Sequence, residues 1–247
     1  MTEQNVHSLR PRVAVVGDDR VAAQIIARGV PGYHVQRGGE RCDLLHRIGA
    51  APASANGVPV LTTDDESRDG AVAWHAGVDL RRFNPGRARG HEPPAGEISI
   101  VAVGAARSTV HDAFAVAGER DERLHLVLEP PGLDDDARAA AYARADLIVA
   151  VDAGVRTVLE AQASGVAVIA AGGSPLVRDG HTGRECRAEP RALAGAILEL
   201  AADAAERARL GRAARYATRG HSCEVAMVRL AALYAEALAA APVSAAA

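Results

Sequence analysis

The stretch that decides the fold covers residues 145–183 and reads ADLIVAVDAGVRTVLEAQASGVAVIAAGGSPLVRDGHTG. Its apolar run at 147–151 is continuous and of strand length, as expected for a parallel strand covered on both faces. A helical pattern follows over 155–164 and stops at Gly165, a residue that suits the left-handed position after a helix. A second apolar run occupies 166–170. The order strand, helix, strand predicts a crossover unit in a parallel α/β sheet.

Each of these two predicted strands is followed by residues that can contact a ligand. Asp152 comes after the first strand, and Gly172 and Gly173 come after the second. Ligands of open parallel sheets bind beyond the carboxyl ends of the strands, near helix N-termini. Glu160 lies in the intervening helix. Carboxylates at such a place can accept hydrogen bonds from sugar or ribose hydroxyls, and glycines let backbone N–H groups approach an anion.

Four motifs occur along the chain in an order that is typical of one family. They are GVDLRRF at 77–83, EAQASG at 160–165, VRDGHTG at 177–183 and RARLG at 207–211. Together they resemble the nucleotide-sugar-binding half of the retaining glycosyltransferases of family 4, which have the GT-B fold. The resemblance covers residues 77–238. It implies transfer of a sugar from a nucleoside-diphosphate sugar, with retention of the anomeric configuration.

The resemblance also implies roles for the residues at the strand ends. Asp152 stands where the family has a glutamate that holds the donor sugar, so we predict that Asp152 is catalytic; the alternative is an aspartate that caps a helix. Glu160 matches the glutamate that receives the ribose hydroxyls; the alternative is an exposed helix face. Gly172 and Gly173 match the turn that offers N–H groups to a phosphate or the sugar; the alternative is a plain turn after a strand.

The loop that should neutralise the diphosphate departs from the family pattern. The family has an arginine and a lysine there, where this chain has Ala105 and Val110. Gly104 opens the loop, and Arg107 and His111 are the cationic side chains that follow. Neutralising the leaving group is a main source of catalysis in such a transfer, so we predict that Arg107 is catalytic and that Gly104 and His111 bind substrate. The alternative is that Arg107 and His111 are solvated residues at a helix start.

Other departures leave a second function open. The family's active-site histidine has no clean equivalent, because Thr63 and acidic residues stand where it is expected. The family's Phe-Gly pair is replaced by Gly154 and Val155. The alternative function is therefore a catalytically degenerate pseudo-glycosyltransferase that acts as a binding or partner subunit. A response-regulator-like or NAD-binding domain is less favoured, because no G-x-G-x-x-G follows the first predicted strand.

The predicted fold class is α/β, with two Rossmann-like domains arranged as in the GT-B fold and helices at the C-terminus. The first domain, residues 1–83, is a strongly shortened acceptor-side domain. A linker rich in glycine and proline covers 84–97, and the nucleotide-sugar-binding domain covers 98–240. Residues 241–247 are predicted to be a disordered tail.

Local patterns place the remaining elements. Predicted strands lie at 12–17, 33–37, 42–46, 58–62, 98–103 and 124–128. Predicted helices lie at 21–28 (capped by Asp18 or Asp19), 49–55, 109–118 (capped by Ser108 or Thr109), from Asp134–Asp136 to about 144, and at 191–202, 204–218 and 223–238.

Composition narrows the function further. The chain has 247 residues and a net charge of -3, and its 28 basic residues are all arginine. Without lysine it has no Schiff-base or P-loop lysine, so arginine, backbone N–H groups or a helix N-terminus must hold any diphosphate. The abundance of alanine and absence of lysine are typical of GC-rich bacterial genomes.

Composition also bears on partners and location. The chain has no concentrated basic stripe and few aromatic residues, so we expect no nucleic-acid binding. No apolar run is long enough to span a bilayer, no signal-peptide core is evident, and the three cysteines lack metal-like spacing, so we predict a cytoplasmic protein. The expected partners are the nucleotide-sugar donor and a small acceptor, without a metal or cofactor. A homo-oligomer or a partner subunit stays open.

Overall fold

The structure, a computed structural model, describes residues 10–38, 42–49, 58–64, 71–88 and 96–240. The chain divides into two compact units. The first unit comprises Met1–Gly77 and Cys223–Ala247, and the second comprises Val78–Ser222. Among the described residues, no helix is both long enough and apolar enough to cross a membrane.

Each unit contains a sheet of five parallel strands. The strands of the first are β1 (Arg12–Gly17), β2 (His34–Arg37), β3 (Leu44–Ile48), β4 (Val60–Asp64) and β5 (Val72–Ala73). Those of the second are β6 (Ile98–Gly104), β7 (Leu124–Leu128), β8 (Leu147–Val151), β9 (Ala167–Ala171) and β10 (Arg184–Cys186). The spatial orders are β2-β1-β3-β4-β5 and β7-β6-β8-β9-β10, so the two sheets share one topology. In each, the order reverses beside the first strand, which makes this a topological switch point.

In the described part of the chain, seven α-helices connect and flank the strands. They are α1 (Asp19–Arg28), α2 (Arg107–Gly118), α3 (Asp135–Arg144), α4 (Val155–Ala163), α5 (Pro190–Ala202), α6 (Ala204–Ala217) and α7 (Cys223–Ala239). Asp18 caps α1 and Asp134 caps α3 as predicted, each through its side-chain carboxylate. The predicted α/β class with two Rossmann-like sheets is confirmed.

The second sheet is covered on both faces, which explains its continuous apolar strands. Leu147, Val149 and Val151 of β8 pack into a core with residues of α2 and α5. Ile148 and Ala150, on the opposite face, pack into a core with residues of α3 and α4. Successive residues of a strand point to opposite faces, so a central strand with apolar residues at every position is buried on both.

The last helix belongs to the first unit, which corrects the predicted domain boundary. Met227, Leu230 and Tyr234 of α7 are buried in the core of the first sheet. Trp74 Nε1 donates a hydrogen bond of 3.1 Å to the carbonyl of Ala226. The second unit therefore ends at residue 222. Helical periodicity shows which face of α7 is apolar but not which sheet that face covers.

The start of the second unit also differs from the predicted boundary. Phe83 is 2% exposed and lies in the core of the second unit, so residues 78–83 belong there. Of the predicted linker, Pro85–Ala88 forms a short 3-10 helix, while 89–95 lies outside the described residues. The predicted helix at 49–55 and the predicted tail at 241–247 also lie outside the described residues, apart from Gly49.

A buried polar group lies inside the core of the first unit. His46 is fully buried, with Nδ1 2.8 Å from the hydroxyl of Tyr234 and Nε2 2.8 Å from Oγ1 of Thr63. In a neutral imidazole one ring nitrogen donates and the other accepts, so both hydroxyl contacts suit the uncharged form. Burial lowers the pKa of His46 to about 4. The core therefore requires neutral histidine.

This burial makes the stability of the first unit depend on pH. The unfolded chain takes up a proton near pH 6.5, whereas folded His46 does so only near 4. The free energy of unfolding should therefore fall as pH falls through this window, by about 3 kcal/mol. Urea unfolding between pH 4 and 7.5, followed by the fluorescence of Trp74, the chain's single tryptophan, measures it.

The variant His46→Gln, which removes the titrating group, should lose most of this pH dependence. His125→Gln is the matched control, because His125 is exposed on β7 of the other unit. Equal pH dependence in wild type and His46→Gln would contradict the assignment.

One arginine joins three separate segments of the second unit. Arg215 of α6 donates to the carbonyls of Phe83 and Ala163 through Nη1, at 2.6 and 2.5 Å, and to Leu80 through Nη2, at 3.0 Å. The contact with Ala163 satisfies a carbonyl at the C-terminal end of α4, where helices leave such groups without intrahelical partners. Arg215 thereby fixes the start of the second unit to α4 and α6.

We expect Arg215→Ala to lower the free energy of unfolding by about 2 kcal/mol, because partly buried carbonyls lose a charged donor. Arg212→Ala is the control, since Arg212 is exposed on the same helix, and should change stability by less than about 0.5 kcal/mol. Denaturant unfolding followed by circular dichroism measures both. A loss in Arg215→Ala no larger than in the control would refute the role.

Candidate functional site

Four predicted site residues lie along one edge of the second sheet. Gly104 is the last residue of β6, Asp152 follows β8, and Gly172 and Gly173 follow β9. Gly104 aligns with Val151 in the pairing of β6 with β8, and Val151 aligns with the last residue of β9. The fold therefore brings these positions together at the carboxyl ends of three neighbouring strands, beside the switch point.

The first helix after this edge has an open N-terminus. α2 begins at Arg107, and the preceding residue, Ala106, makes no side-chain hydrogen bond to it. The predicted cap at Ser108 or Thr109 is wrong, because both lie inside the first turn. The N–H of Arg107 donates to the carbonyl of Ala105. Without a side-chain cap, the positive end of the helix dipole remains available to an anion.

A cavity of about 210 Å³ opens beside this helix end. Its walls are the ends of β6 and β7, the first turn of α2, residues 128–132 and Thr157 of α4. Gly104 and Arg107 line the cavity, and Nη2 of Arg107 donates a 2.8 Å hydrogen bond to the carbonyl of Glu129. His111 is exposed one turn further along and does not line the cavity. Of the two predicted cations, Arg107 lies at the cavity and His111 does not.

Asp152 adopts a strained backbone conformation at the end of β8. Its φ is 48°, and it is the only non-glycine residue with a positive φ in the described part of the chain. A Cβ placed on Gly172 would lie 3.4 Å from Oδ1 of Asp152, so the exposed carboxylate is next to the turn after β9. Strain of this kind is often found at functional sites.

The two glycines after β9 differ in what they can offer a ligand. The N–H of Gly172 donates to the carbonyl of Cys186 at 3.0 Å, which joins the end of β9 to β10. Gly172 therefore does not present its N–H to an anion, contrary to the predicted role. Gly173 is exposed with a φ of 88°, and its contact with phosphate or sugar stays a prediction.

Glu160 has a different environment from the one that its predicted ribose role requires. It is 2% exposed. Nε of Arg156 donates to Oε1 at 2.6 Å, and Nε of Arg138 lies 2.9 Å from Oε2. Burial raises the pKa of the Glu160 carboxyl, and the two arginines oppose that rise. A ribose hydroxyl would have to compete with two guanidinium groups for these oxygens.

Glu160 is part of a larger group of charges, which we call the α3–α4 charge cluster. It consists of four acidic and four basic residues: Glu129, Asp135, Asp136, Glu160, Arg82, Arg87, Arg138 and Arg156. Arg138 contacts three of the carboxylates and its side chain is 12% exposed. Sequence reasoning missed this cluster; helical spacing signals two of its pairs, Arg156 with Glu160 and Asp135 with Arg138.

Comparisons with known proteins support the fold. No family model and no curated protein sequence matches the chain. A glycosyltransferase from Rickettsia africae superposes with a TM-score of 0.67 at 13% identity, over 93% of this chain and 98% of that one. Sucrose-phosphate synthase from Thermosynechococcus elongatus gives 0.65 at 15%, over 94% and 100%. Anabaena HepE in complex with UDP and glucose gives 0.64 at 12%, also over 94% and 100%.

These likenesses cover nearly the whole chain and therefore both units. At such low identities they establish the fold, which is that of the GT-B-type glycosyltransferases. The chain attains this fold in 247 residues.

The strain at Asp152 can be tested by two substitutions. Glycine adopts a positive φ without steric cost, whereas alanine does not, so Asp152→Gly should be more stable than Asp152→Ala by about 1 kcal/mol. The matched control is Ala153→Gly next to it, where φ is not positive and glycine should destabilise by about 0.5–1 kcal/mol. Guanidinium unfolding measures all three. Equal stability of the two Asp152 variants would show that the position is unstrained.

Proposed function

We propose that this chain is a glycosyltransferase that transfers a sugar from a nucleoside-diphosphate sugar to a small acceptor, with retention. The fold supports the class, since similar structures include a glycosyltransferase from Rickettsia africae and HepE bound to UDP and glucose. The motifs at 160–165 and 177–183, which resemble those of a retaining family, support the stereochemistry.

The observation that carries the proposal is a difference between two equivalent helix N-termini. α1 and α2 each follow the first strand of a sheet with the same strand order. The N-terminus of α1 is closed by Asp18, whose Oδ1 accepts hydrogen bonds of 2.9 Å from the N–H groups of Arg20 and Val21. That of α2 has no side-chain cap and starts at Arg107 beside the cavity. A carboxylate repels a diphosphate, so the donor belongs to the second unit.

Arg107 then has the main chemical role. When the sugar leaves, negative charge develops on the diphosphate, and a fixed positive group that lies against it lowers the barrier. One Nη of Arg107 is held by the carbonyl of Glu129, which leaves the other Nη and Nε for phosphate oxygens. Because the chain contains no lysine, arginine is the side chain that can supply a permanent positive charge here. The guanidinium fork suits two phosphate oxygens at once.

The sugar belongs at the neighbouring strand ends. Asp152 accepts hydrogen bonds from donor-sugar hydroxyls, and Gly173 approaches the sugar or phosphate through its backbone. Among the described residues, no group of three or more His, Cys, Asp and Glu is placed to hold a metal ion. In our proposal, Arg107 and the N-terminus of α2 provide the positive charge, and the nucleotide sugar is a co-substrate without a further cofactor.

The test begins with thermal unfolding of the full chain in the presence of UDP, GDP, dTDP and ADP and their common sugars. A nucleotide at about 100 times its dissociation constant adds about 2.7 kcal/mol of stability. Arg107→Gln should weaken binding of the selected nucleotide at least tenfold, since a charged phosphate contact is lost. Arg120→Gln is the matched control, because Arg120 is exposed just after the other end of α2.

The reaction is tested with the nucleotide sugar so selected and a panel of small acceptors, with NMR of the product to assign the anomeric configuration. Transfer with retention, reduced in Arg107→Gln and unchanged in Arg120→Gln, is the expected result. Inversion would contradict the stereochemistry. Binding without transfer would favour the degenerate binding subunit, and no stabilisation by any nucleotide would overturn the assignment of the donor site.

A further inference from the structure

The carbonyl that holds Arg107 belongs to a residue whose own position is fixed by the sheet and by α3. Glu129 is the first residue after β7 and lines the cavity. Its N–H donates to the carbonyl of Ala102 at 3.0 Å, so its backbone continues the pairing with β6. Its carbonyl accepts the hydrogen bond of Arg107. The next two residues are Pro130 and Pro131, whose missing N–H groups leave the turn with few backbone hydrogen bonds.

The side chain of Glu129 is held by α3. Its Oε2 accepts a hydrogen bond of 2.6 Å from the hydroxyl of Tyr142, which is fully buried. Burial raises the pKa of Tyr142, and the hydrogen bond to Glu129 raises it further, so the phenol stays protonated and donates. Oε1 of Glu129 lies 3.5 Å from Nη1 of Arg138. A hydrogen bond from Tyr142 and an ion pair with Arg138, both residues of α3, therefore hold this carboxylate.

The rest of the α3–α4 charge cluster holds Arg138 in turn. Nη2 of Arg138 is 2.5 Å from Oδ1 of Asp135, and its Nε is 2.9 Å from Oε2 of Glu160. Glu160 is fixed from the other side by Arg156. A continuous series of contacts thus runs from α4 through α3 to Glu129 and from there to Arg107.

We propose that Tyr142 and Arg138 are positioning residues of the donor site: by fixing Glu129, they hold the Arg107 guanidinium in the orientation that receives the diphosphate. The assignment rests on the proposed function. It gives Glu160 an indirect role, as a support of Arg138. A guanidinium that is already held in one orientation binds phosphate more tightly than a mobile one, because no further side-chain entropy is lost on binding.

The closing experiment compares two substitutions of the same chemistry. Tyr142→Phe removes the hydroxyl that reaches Glu129. Tyr234→Phe, the matched control, removes an equally buried hydroxyl that contacts His46 in the first unit. Both should lower the melting temperature, because each removes the hydrogen bond of a buried tyrosine hydroxyl. Only Tyr142→Phe should weaken binding of the nucleotide that stabilises the wild type, by about tenfold, while Tyr234→Phe stays within about twofold in titration calorimetry.

A second readout needs no nucleotide. Pro130 and Pro131 have no N–H, so amide hydrogen exchange reports on this turn through Glu129, whose N–H donates to the carbonyl of Ala102. NMR should show faster exchange at this amide in Tyr142→Phe than in wild type, and the wild-type rate in Tyr234→Phe. Glu129→Gln, which keeps an acceptor for the Tyr142 hydroxyl, should bind the nucleotide better than Glu129→Ala.

The two readouts separate the inference from the function on which it rests. If the wild type binds no nucleotide, the proposed function fails, and the exchange rates alone decide whether Tyr142 fixes the turn. If nucleotide binds and Tyr142→Phe keeps wild-type affinity, the positioning role is overturned. It is equally overturned if exchange at the Glu129 amide is the same in both Tyr→Phe variants.

Discussion

The close approach of β6 to β8 is the constraint on which the candidate site depends. Gly104 has a φ of 104°, and a Cβ there would lie 1.9 Å from the carbonyl oxygen of Val151, which no side chain can tolerate. The missing side chain lets the chain turn directly from the strand into α2, whose open end forms a wall of the cavity. Gly17 repeats the feature in the first sheet, where a Cβ would lie 2.2 Å from the carbonyl oxygen of Ile48. The two units therefore make the same turn from strand to helix. The two turns differ in the residues that follow the glycine: Asp18 caps α1, whereas α2 has no side-chain cap.

Much of this fold could be predicted from local pattern. The strands at 12–17, 124–128 and 147–151 are placed as predicted, because buried parallel strands are short continuous apolar runs with clear ends. β5 and β10 have two and three residues and were not predicted. The assignment of α7 to the first unit could not be predicted either, because it depends on contacts between residues far apart in the sequence.

The residues of the candidate site also differ in whether the sequence could predict their environment. Arg107 is predicted from the family resemblance, as a cation in the loop after the strand that ends at Gly104, and it lines the cavity. Glu160 was assigned from motif context, which cannot show that Arg138, on another helix, reaches it. All four basic residues of the α3–α4 charge cluster are arginines. Arginine suits this place because one planar guanidinium offers five donors, so Arg138 can contact three carboxylates at once.

The position of α7 has a consequence for the order in which the chain matures during synthesis. The first unit takes its sheet from the start of the chain and the helix that covers Trp74 and His46 from residues beyond 222. The ribosome releases every residue of the second unit before α7 emerges. Domains generally fold as units while the chain is made. The unit whose strands are synthesised first is therefore completed last. The apolar face of its sheet stays uncovered until α7 has been synthesised.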